Sequence, residues 1–368
     1  MGRLSSIILG VFSLILMWDS QAHAFSYSTC LDEKIKWDST TVTVRASAVS
    51  FPGGEWRNAL QTAITRFNLN PSKFRYDMTI ESGSVGRGNG QNEVWGSTNP
   101  DVLKGHPAIA YTWWTCYWFF GDHVEMDEVD VIFDYGSPWI WSSSEDKSAL
   151  MGYGGSGRPF RTTAIHELGH GLILNHVNSE YNVMGKDFEH IQVNGRAARA
   201  YVGEDTSDGA VFLYGTHSPA REDLGVVHWK YSGTSEEYSD HTKTRLYGDH
   251  AVLSNFIDAG ETRYRVTPGQ QIRAEFTYEN NGANTQSNIE VGFYISTNDL
   301  ITTEDQRIGG MTVTLSRDSV FTTLKTLTIP STLQSNQNYW LGVVVDDTGA
   351  VGESPKWNNA TYIPIRTE

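Results

Sequence analysis

The sequence predicts an α+β domain, a mixed sheet with helices, followed by an all-β sandwich. Three observations carry this. Apolar residues recur at helical spacing within the first 215 residues, short apolar runs between them read as strands, and beyond residue 249 a period of two takes over.

Taken in order, Trp56, Ala59, Leu60, Ala63, Ile64 and Phe67 fall on one helix face, so 55–68 is an amphipathic helix lying on a sheet. A strand follows at 74–80. The run 129–133 is almost wholly apolar, which marks a central strand, and 108–118 between them is extended and rich in aromatics. After the glycine-rich loop 152–157, Thr162 or Thr163 can cap a helix whose Ile165, Leu168 and Leu172 face the core. Asp205-Thr206-Ser207-Asp208 can cap a last short helix ending at Tyr214-Gly215. The polar stretch 216–248, with Pro219 and charges at 235–244, reads as a linker with some local structure. Strand alternation then appears three times: Ile272, Ala274, Phe276 and Tyr278; Ile289, Val291, Phe293 and Ile295; and Leu341, Val343 and Val345, separated by Gly, Asn and Pro turns.

The 368 residues carry a formal net charge of −15. Arg3 precedes an apolar run at 7–18, and Ala22-His23-Ala24 is a small-x-small cleavage site, so 1–24 reads as a signal peptide. That segment holds one Arg and one Asp, so its removal leaves the charge unchanged. Such an acidic surface argues against nucleic acid and anionic lipid as partners. The run 7–18 is too short to span a bilayer, no later run is apolar enough, and Phe25, not Cys, follows the cleavage site, so no membrane attachment is expected. The expected location is secreted: extracellular, or periplasmic in a Gram-negative cell.

The stretch His166-Glu167-Leu168-Gly169-His170-Gly171-Leu172-Ile173-Leu174-Asn175-His176 sets three imidazoles and a carboxylate at the spacing of a catalytic zinc site. Residues four apart share a helix face, so His166 and His170 can offer ring nitrogens to one ion with Glu167 beside them. His176 is the third ligand. Three protein ligands leave the fourth tetrahedral position to water, whose proton is then lost near neutral pH. A His-Glu-x-x-His string arises by accident in about 2% of chains of this composition, and requiring His176 lowers that about thirtyfold. Solvent-bonded surface histidines, or a purely structural zinc, are therefore the weaker readings.

Eight residues beyond His176 stands Met184, within Ser179-Glu180-Tyr181-Asn182-Val183-Met184-Gly185. A long zinc motif followed by Met in a tight turn resembles the metzincin clan of zinc endopeptidases, and the local wording looks most like its matrixin branch. The resemblance spans 34–215 in element order, with its specificity concentrated in 166–185. It implies His166, His170 and His176 as zinc ligands, Glu167 as general base and Met184 as the Met-turn residue beneath the metal. It further implies that 108–113 forms the upper rim of a cleft and pairs with extended substrate, the plainer reading being a strand with buried aromatics. The segment 185–194 would line the primed side.

Two departures stand out. Ile173 replaces the Gly that the family usually has where the backbone leaves the helix with positive φ; a β-branched residue is strained there, which points to a turn shifted toward Gly171 or Asn175. Met184-Gly185-Lys186 lacks the Tyr found two residues after the Met in astacin-like and serralysin-like branches, which removes a candidate tyrosine from the site.

The resemblance also frames the two cysteines. Cys30 and Cys116 can form one disulfide in an oxidising compartment, Cys30 can latch onto the metal as in some relatives, or both can stay free. The disulfide is the expectation, because no pro-segment of adequate length precedes the first periodic elements.

The last part resembles bacterial Ig-like adhesion modules of the CARDB type in Asn280-Asn281-Gly282, Phe293-Tyr294-Ile295-Ser296, Trp340-Leu341-Gly342-Val343-Val344-Val345-Asp346 and 353–359. This implies a module that binds a surface glycan or protein, or else one that stabilises or assists secretion. Asn359-Ala360-Thr361 matches a glycosylation sequon.

The expected fold class is thus an α+β metzincin-like catalytic domain (mixed sheet plus helices) at 25–215, a linker at 216–248, and an all-β Ig-like sandwich at 249–368. The expected function is a secreted zinc endopeptidase with protein or peptide substrates. The alternative is a secreted adhesin or binding protein with a weak or inactive zinc domain, which Ile173 favours and Glu167 opposes. Catalytic zinc is the expected cofactor; the acidic loops, including 122–134, permit calcium without specifying it.

Overall fold

The computed structural model describes residues 25–117, 123–150 and 156–368. The expected signal peptide 1–24, Trp118, Asp122 and residues 152–155 of the glycine-rich loop lie outside the described residues. The molecule is mostly β.

Its first part is built on a five-stranded sheet in the order Arg75–Glu81, Thr41–Ser47, Glu93–Ser97, His123–Asp134, Ala108–Tyr117. The first four strands run parallel, and Ala108–Tyr117 closes one edge antiparallel to its neighbour. The apolar run 129–133 is buried next to that edge, as strands covered on both faces must be. Helix Glu55–Phe67 buries Ala59, Leu60, Ala63, Ile64 and Phe67, and Glu55 and Arg66 at its two ends complement the helix dipole. The motif helix Phe160–His170 packs beside it, with the ring of Phe160 against Trp56 at 5.5 Å and Phe133 at 4.6 Å. One apolar core joins sheet and helices.

Both expected helix caps are corrected. The motif helix begins at Phe160 after Pro159, and Thr163 lies inside it because its hydroxyl donates to Asp187. The last helix, Gly203–Tyr214, starts two residues before Asp205, whose carboxylate accepts the backbone N–H of Met184 at 3.1 Å instead of capping its own helix. The acidic stretch 122–134, expected as a loop, is a strand from His123 on. Its buried carboxylates are taken up by backbone: Glu128 accepts N–H groups of Asn89 (3.0 Å) and Gly90 (2.7 Å), and Asp130 that of Gly88 (3.2 Å). A disulfide joins Cys30 to Cys116, tying the start of the described chain to the edge strand, so Cys30 is not a latch.

The second part is a two-sheet sandwich. One sheet runs Leu224–Val227, Gln271–Asn280, Leu246–Tyr247, with Val320–Thr328 also on Gln271–Asn280; the other runs Asn255–Asp258, Glu261–Val266, Ala360–Thr367, Asn338–Val345, Gln286–Ser296, Gln306–Leu315. Its pairings are antiparallel except Glu261–Val266 with Ala360–Thr367. The alternating residues point as expected into the shared core, where Phe276 meets Phe293 at 6.3 Å. The stretch 216–248 contributes strands of its own: Leu224–Val227 and Leu246–Tyr247 belong to the sandwich, and between them Trp229–Ser235 pairs with Tyr238–Lys243 as a hairpin.

The outer face of Gln271–Asn280 is buried although it is polar. The hairpin and the chain after Met184 cover it: Lys230 donates to Glu275 at 2.7 Å, while His190 (3.3 Å) and the Tyr201 hydroxyl meet Glu279. Ile191, Val193 and Ala198 pack with Tyr294, Ile301, Val344 and Tyr362, and Lys147 pairs with Asp299 at 2.6 Å and Glu261 at 3.1 Å. The two parts are thus docked along a broad front. Asn359 of the sequon is buried, its amide donating to the Val345 carbonyl at 3.2 Å. Among the described residues no helix is long and apolar enough to cross a membrane.

Candidate metal centre

The motif helix sets His166 and His170 one turn apart, and the segment 171–176 brings the chain back to them. Leu172 and Ile173 donate backbone N–H groups to the carbonyls of Gly169 (2.9 Å) and His170 (2.8 Å), closing the helix. The reversal then falls on Ile173 itself, at φ 60. The turn is not shifted; Gly171 keeps right-handed helical backbone at φ −64. A left-handed conformation costs an L-residue about 1–2 kcal/mol, and here burial of the Ile173 side chain in the core holds it. Leu174–Asn175 then pairs with Ser26–Tyr27, and His176 arrives opposite the helix.

The three imidazoles converge. His170 Nε2 lies 3.0 Å from His166 Nε2 and 3.1 Å from His176 Nε2. Among the described residues this trio is the group of His, Cys, Asp or Glu whose ligand atoms all lie within 4.8 Å of one another.

The other ring nitrogens settle which atoms carry protons. His166 Nδ1 stands 2.7 Å from the Val183 carbonyl and His170 Nδ1 2.7 Å from the Leu174 carbonyl, both pure acceptors, so these nitrogens donate. His176 Nδ1 lies 3.3 Å from an oxygen of the half-exposed Glu237 carboxylate, outside hydrogen-bond alignment but close enough for the negative charge to favour a proton on that nitrogen. In a neutral imidazole protonated at Nδ1, Nε2 carries a lone pair. Three lone pairs therefore point at one another. Burial pushes the pKa of His166 down to about 4 and, with the neighbouring His166, that of His170 to about 3; burial and the other two rings hold His176 far below its usual range. Burial thus disfavours a second proton on any of the rings, and a cation is what the arrangement fits. Nitrogens bound tetrahedrally to zinc stand about 3.3 Å apart, close to what these rings present.

Glu167 is buried beside the trio. Burial, then the charge of Asp187, raise its pKa to about 8, and a hydrogen bond from the backbone of Ala110 partly opposes them. The edge strand Ala108–Tyr117, which has a neighbouring strand on one side only, packs against the motif helix that carries Glu167. The second carboxylate oxygen has no partner within the described protein. A divalent cation next to it would reverse this bias toward the protonated form.

Met184 is fully buried against the motif helix at Gly169. Its carbonyl accepts the Val177 N–H at 3.3 Å and its own N–H goes to Asp205, so the turn ties the His176 segment to the last helix.

All four site residues expected from the sequence thus come together. Those it missed are Asp187 with its partner Thr163, and two residues of the hairpin: Glu237, and Tyr238, whose ring centroid lies 4.2 Å from that of His176. The alternation of Trp229, Tyr231 and Tyr238 with polar residues signals a hairpin, but nothing local says where it docks.

No protein-family model and no curated protein matches the chain. Among solved structures, the CARDB domain of a Pyrococcus furiosus protein, crystallised in complex with di-metal ions, is similar at 14% identity over 40% of this chain and 90% of that one, with a TM-score of 0.25. The solution structure of the same domain gives 16%, 40%, 95% and 0.25, and a Niemann-Pick type C2 protein from the Japanese carpenter ant gives 10%, 30%, 85% and 0.22. Likenesses this faint assign the chain to no family.

Proposed function

We propose that the chain is a zinc endopeptidase acting on proteins outside the cytoplasm, with a matrixin-like first part. The observation that carries this is the convergence of three imidazole Nε2 atoms next to a buried carboxylate. Zinc held by His166, His170 and His176 would supply a Lewis acid and lower the pKa of water. The chain supplies the rest. Glu167 accepts the proton of the attacking water and hands it to the leaving amine. The free edge of Ala108–Tyr117 receives an extended peptide by strand addition, which lays its backbone across Glu167. The disulfide is compatible with an extracellular location, and the sandwich, CARDB-like by its sequence phrases, would bind a surface glycan or protein.

The alternative, a secreted binding protein with a weak or inactive zinc domain, draws on Ile173 and the distortion of the third-ligand loop it could bring. His176, 3.1 Å from His170, speaks against that. The test is hydrolysis of a casein and gelatin panel by residues 25–368 beside Glu167→Ala at matched zinc occupancy. Zinc-dependent cleavage lost in the variant is the expected result. Near-normal turnover by the variant sinks the mechanism, and absence of cleavage in both turns attention to the sandwich as the working part.

A further inference from the structure

The hairpin Trp229–Ser235 and Tyr238–Lys243 belongs by sequence to the second part, yet its tip reaches the metal centre. Both ends are rooted in the sandwich, since the strands flanking it pair with Gln271–Asn280. Its turn sits on the loop that carries His176 and Met184. Asn178 donates its amide to the Glu236 carbonyl at 2.9 Å, Thr234 donates to the Asn178 carbonyl at 2.8 Å, Lys186 pairs with Asp240, and Asn182 donates to the Ser239 hydroxyl at 3.4 Å. Gly185 makes room for this contact; a Cβ there would overlap the Ser239 hydroxyl.

At the tip, the Glu237 carboxylate lies 3.3 Å from His176 Nδ1 and the Tyr238 ring packs on the imidazole at 4.2 Å. His166 and His170 are oriented by backbone carbonyls of the loop 171–184, close to the ligands in sequence. His176 alone of the three has beside its Nδ1 a side chain from about sixty residues downstream, past the end of the first part.

We propose that Glu237 is a positioning residue of the metal centre: it holds His176 in the Nδ1–H tautomer with Nε2 turned to the ion, so that the sandwich, through its hairpin, completes the metal site of the first part. Partners of this kind raise ligand basicity, and their loss lowers metal affinity by about 10–100-fold. The inference rests on the metal-site reading and is independent of proteolysis.

The experiment is zinc affinity of the full chain, measured by competition with a chromophoric chelator, for the parent, Glu237→Ala, Glu237→Gln and the neighbouring Glu236→Ala. Glu237→Ala should weaken binding about tenfold or more, Glu237→Gln, whose amide oxygen still accepts, should fall between, and Glu236→Ala should match the parent. In the metal-free proteins, long-range 1H–15N NMR of His176 should report Nδ1–H in the parent and a mixture of tautomers in Glu237→Ala. This second readout does not move if Glu237 only stabilises the hairpin. Affinities of both Glu237 variants within twofold of the parent, or an unchanged tautomer, overturn the proposal while leaving the three-histidine site intact. A parent that binds no zinc overturns both.

Discussion

Met184 occupies the space in which a side chain on Gly169 would begin: a Cβ there would stand 2.5 Å from the sulfur and 3.2 Å from the terminal methyl. Gly169 lies between the two histidines of the motif helix, one residue before His170. Gly169→Ala should therefore cost about 1–3 kcal/mol by overpacking, because Met184 is fully buried and cannot swing away. Pairing it with Met184→Ala should recover part of the loss, read as a non-additive double-mutant cycle in urea unfolding. Strict additivity would mean the two residues do not share that space.

Ile173 offers a contrast with Leu172, its buried neighbour. Replacing either by Gly removes a core side chain, but only at 173 does Gly also release a left-handed backbone. Ile173→Gly should consequently be less destabilising than Leu172→Gly by about 1–2 kcal/mol. Equal losses in chemical denaturation would show that the strain is absent.

Asp223 gives the sandwich a defined pH response. Burial raises its pKa to about 7, against the opposing hydrogen bonds of Asn358 (2.7 Å) and Asn281 (3.4 Å). The folded state thus holds a proton that the unfolded chain releases near pH 4, so the contribution is fully present below that value and is lost as pH rises through about 7. The difference in stability between parent and Asp223→Asn should shift in favour of the variant between pH 5 and pH 8. A pH-independent difference would place the titration elsewhere.

The disulfide Cys30–Cys116 closes a separation of 86 residues and fastens the edge strand that packs on the motif helix. Its removal in Cys30→Ser/Cys116→Ser should cost about 2–5 kcal/mol, seen as a lower melting temperature. On the proposed peptidase reading, catalytic efficiency toward long peptides should drop more than toward short ones. Unchanged stability would show that the bridge constrains nothing.

The legibility of this molecule in its sequence depends on the range of the interactions. Helix Glu55–Phe67 and the buried faces of the sandwich strands are repeats of a few residues, and they are legible nearly to the residue. Of the four candidate site residues, His166, Glu167 and His170 are legible because helix geometry fixes two histidines and a glutamate near one another, and His176 through its spacing in the motif. Thr163 and Asp205 look like caps, yet each spends its side chain on a partner more than twenty residues away, Asp187 and Met184. The polar residues of Gln271–Asn280 look solvent-facing, since alternation cannot reveal that His190, Tyr201 and Lys230 arrive to cover them. Glu237 sits in what composition reads as a linker for the same reason.

The hairpin's anchorage also imposes an order of events on a newly made chain. Synthesis begins at the N-terminus, so His166, His170 and His176 emerge together, well before the strand Gln271–Asn280 that holds the hairpin's flanks. Until that strand is in place, the third histidine lacks the Glu237 carboxylate beside it, and on the role proposed for Glu237 the centre would hold a metal ion more weakly. The nascent protein would thus pass through most of its own production with the three-histidine centre incomplete.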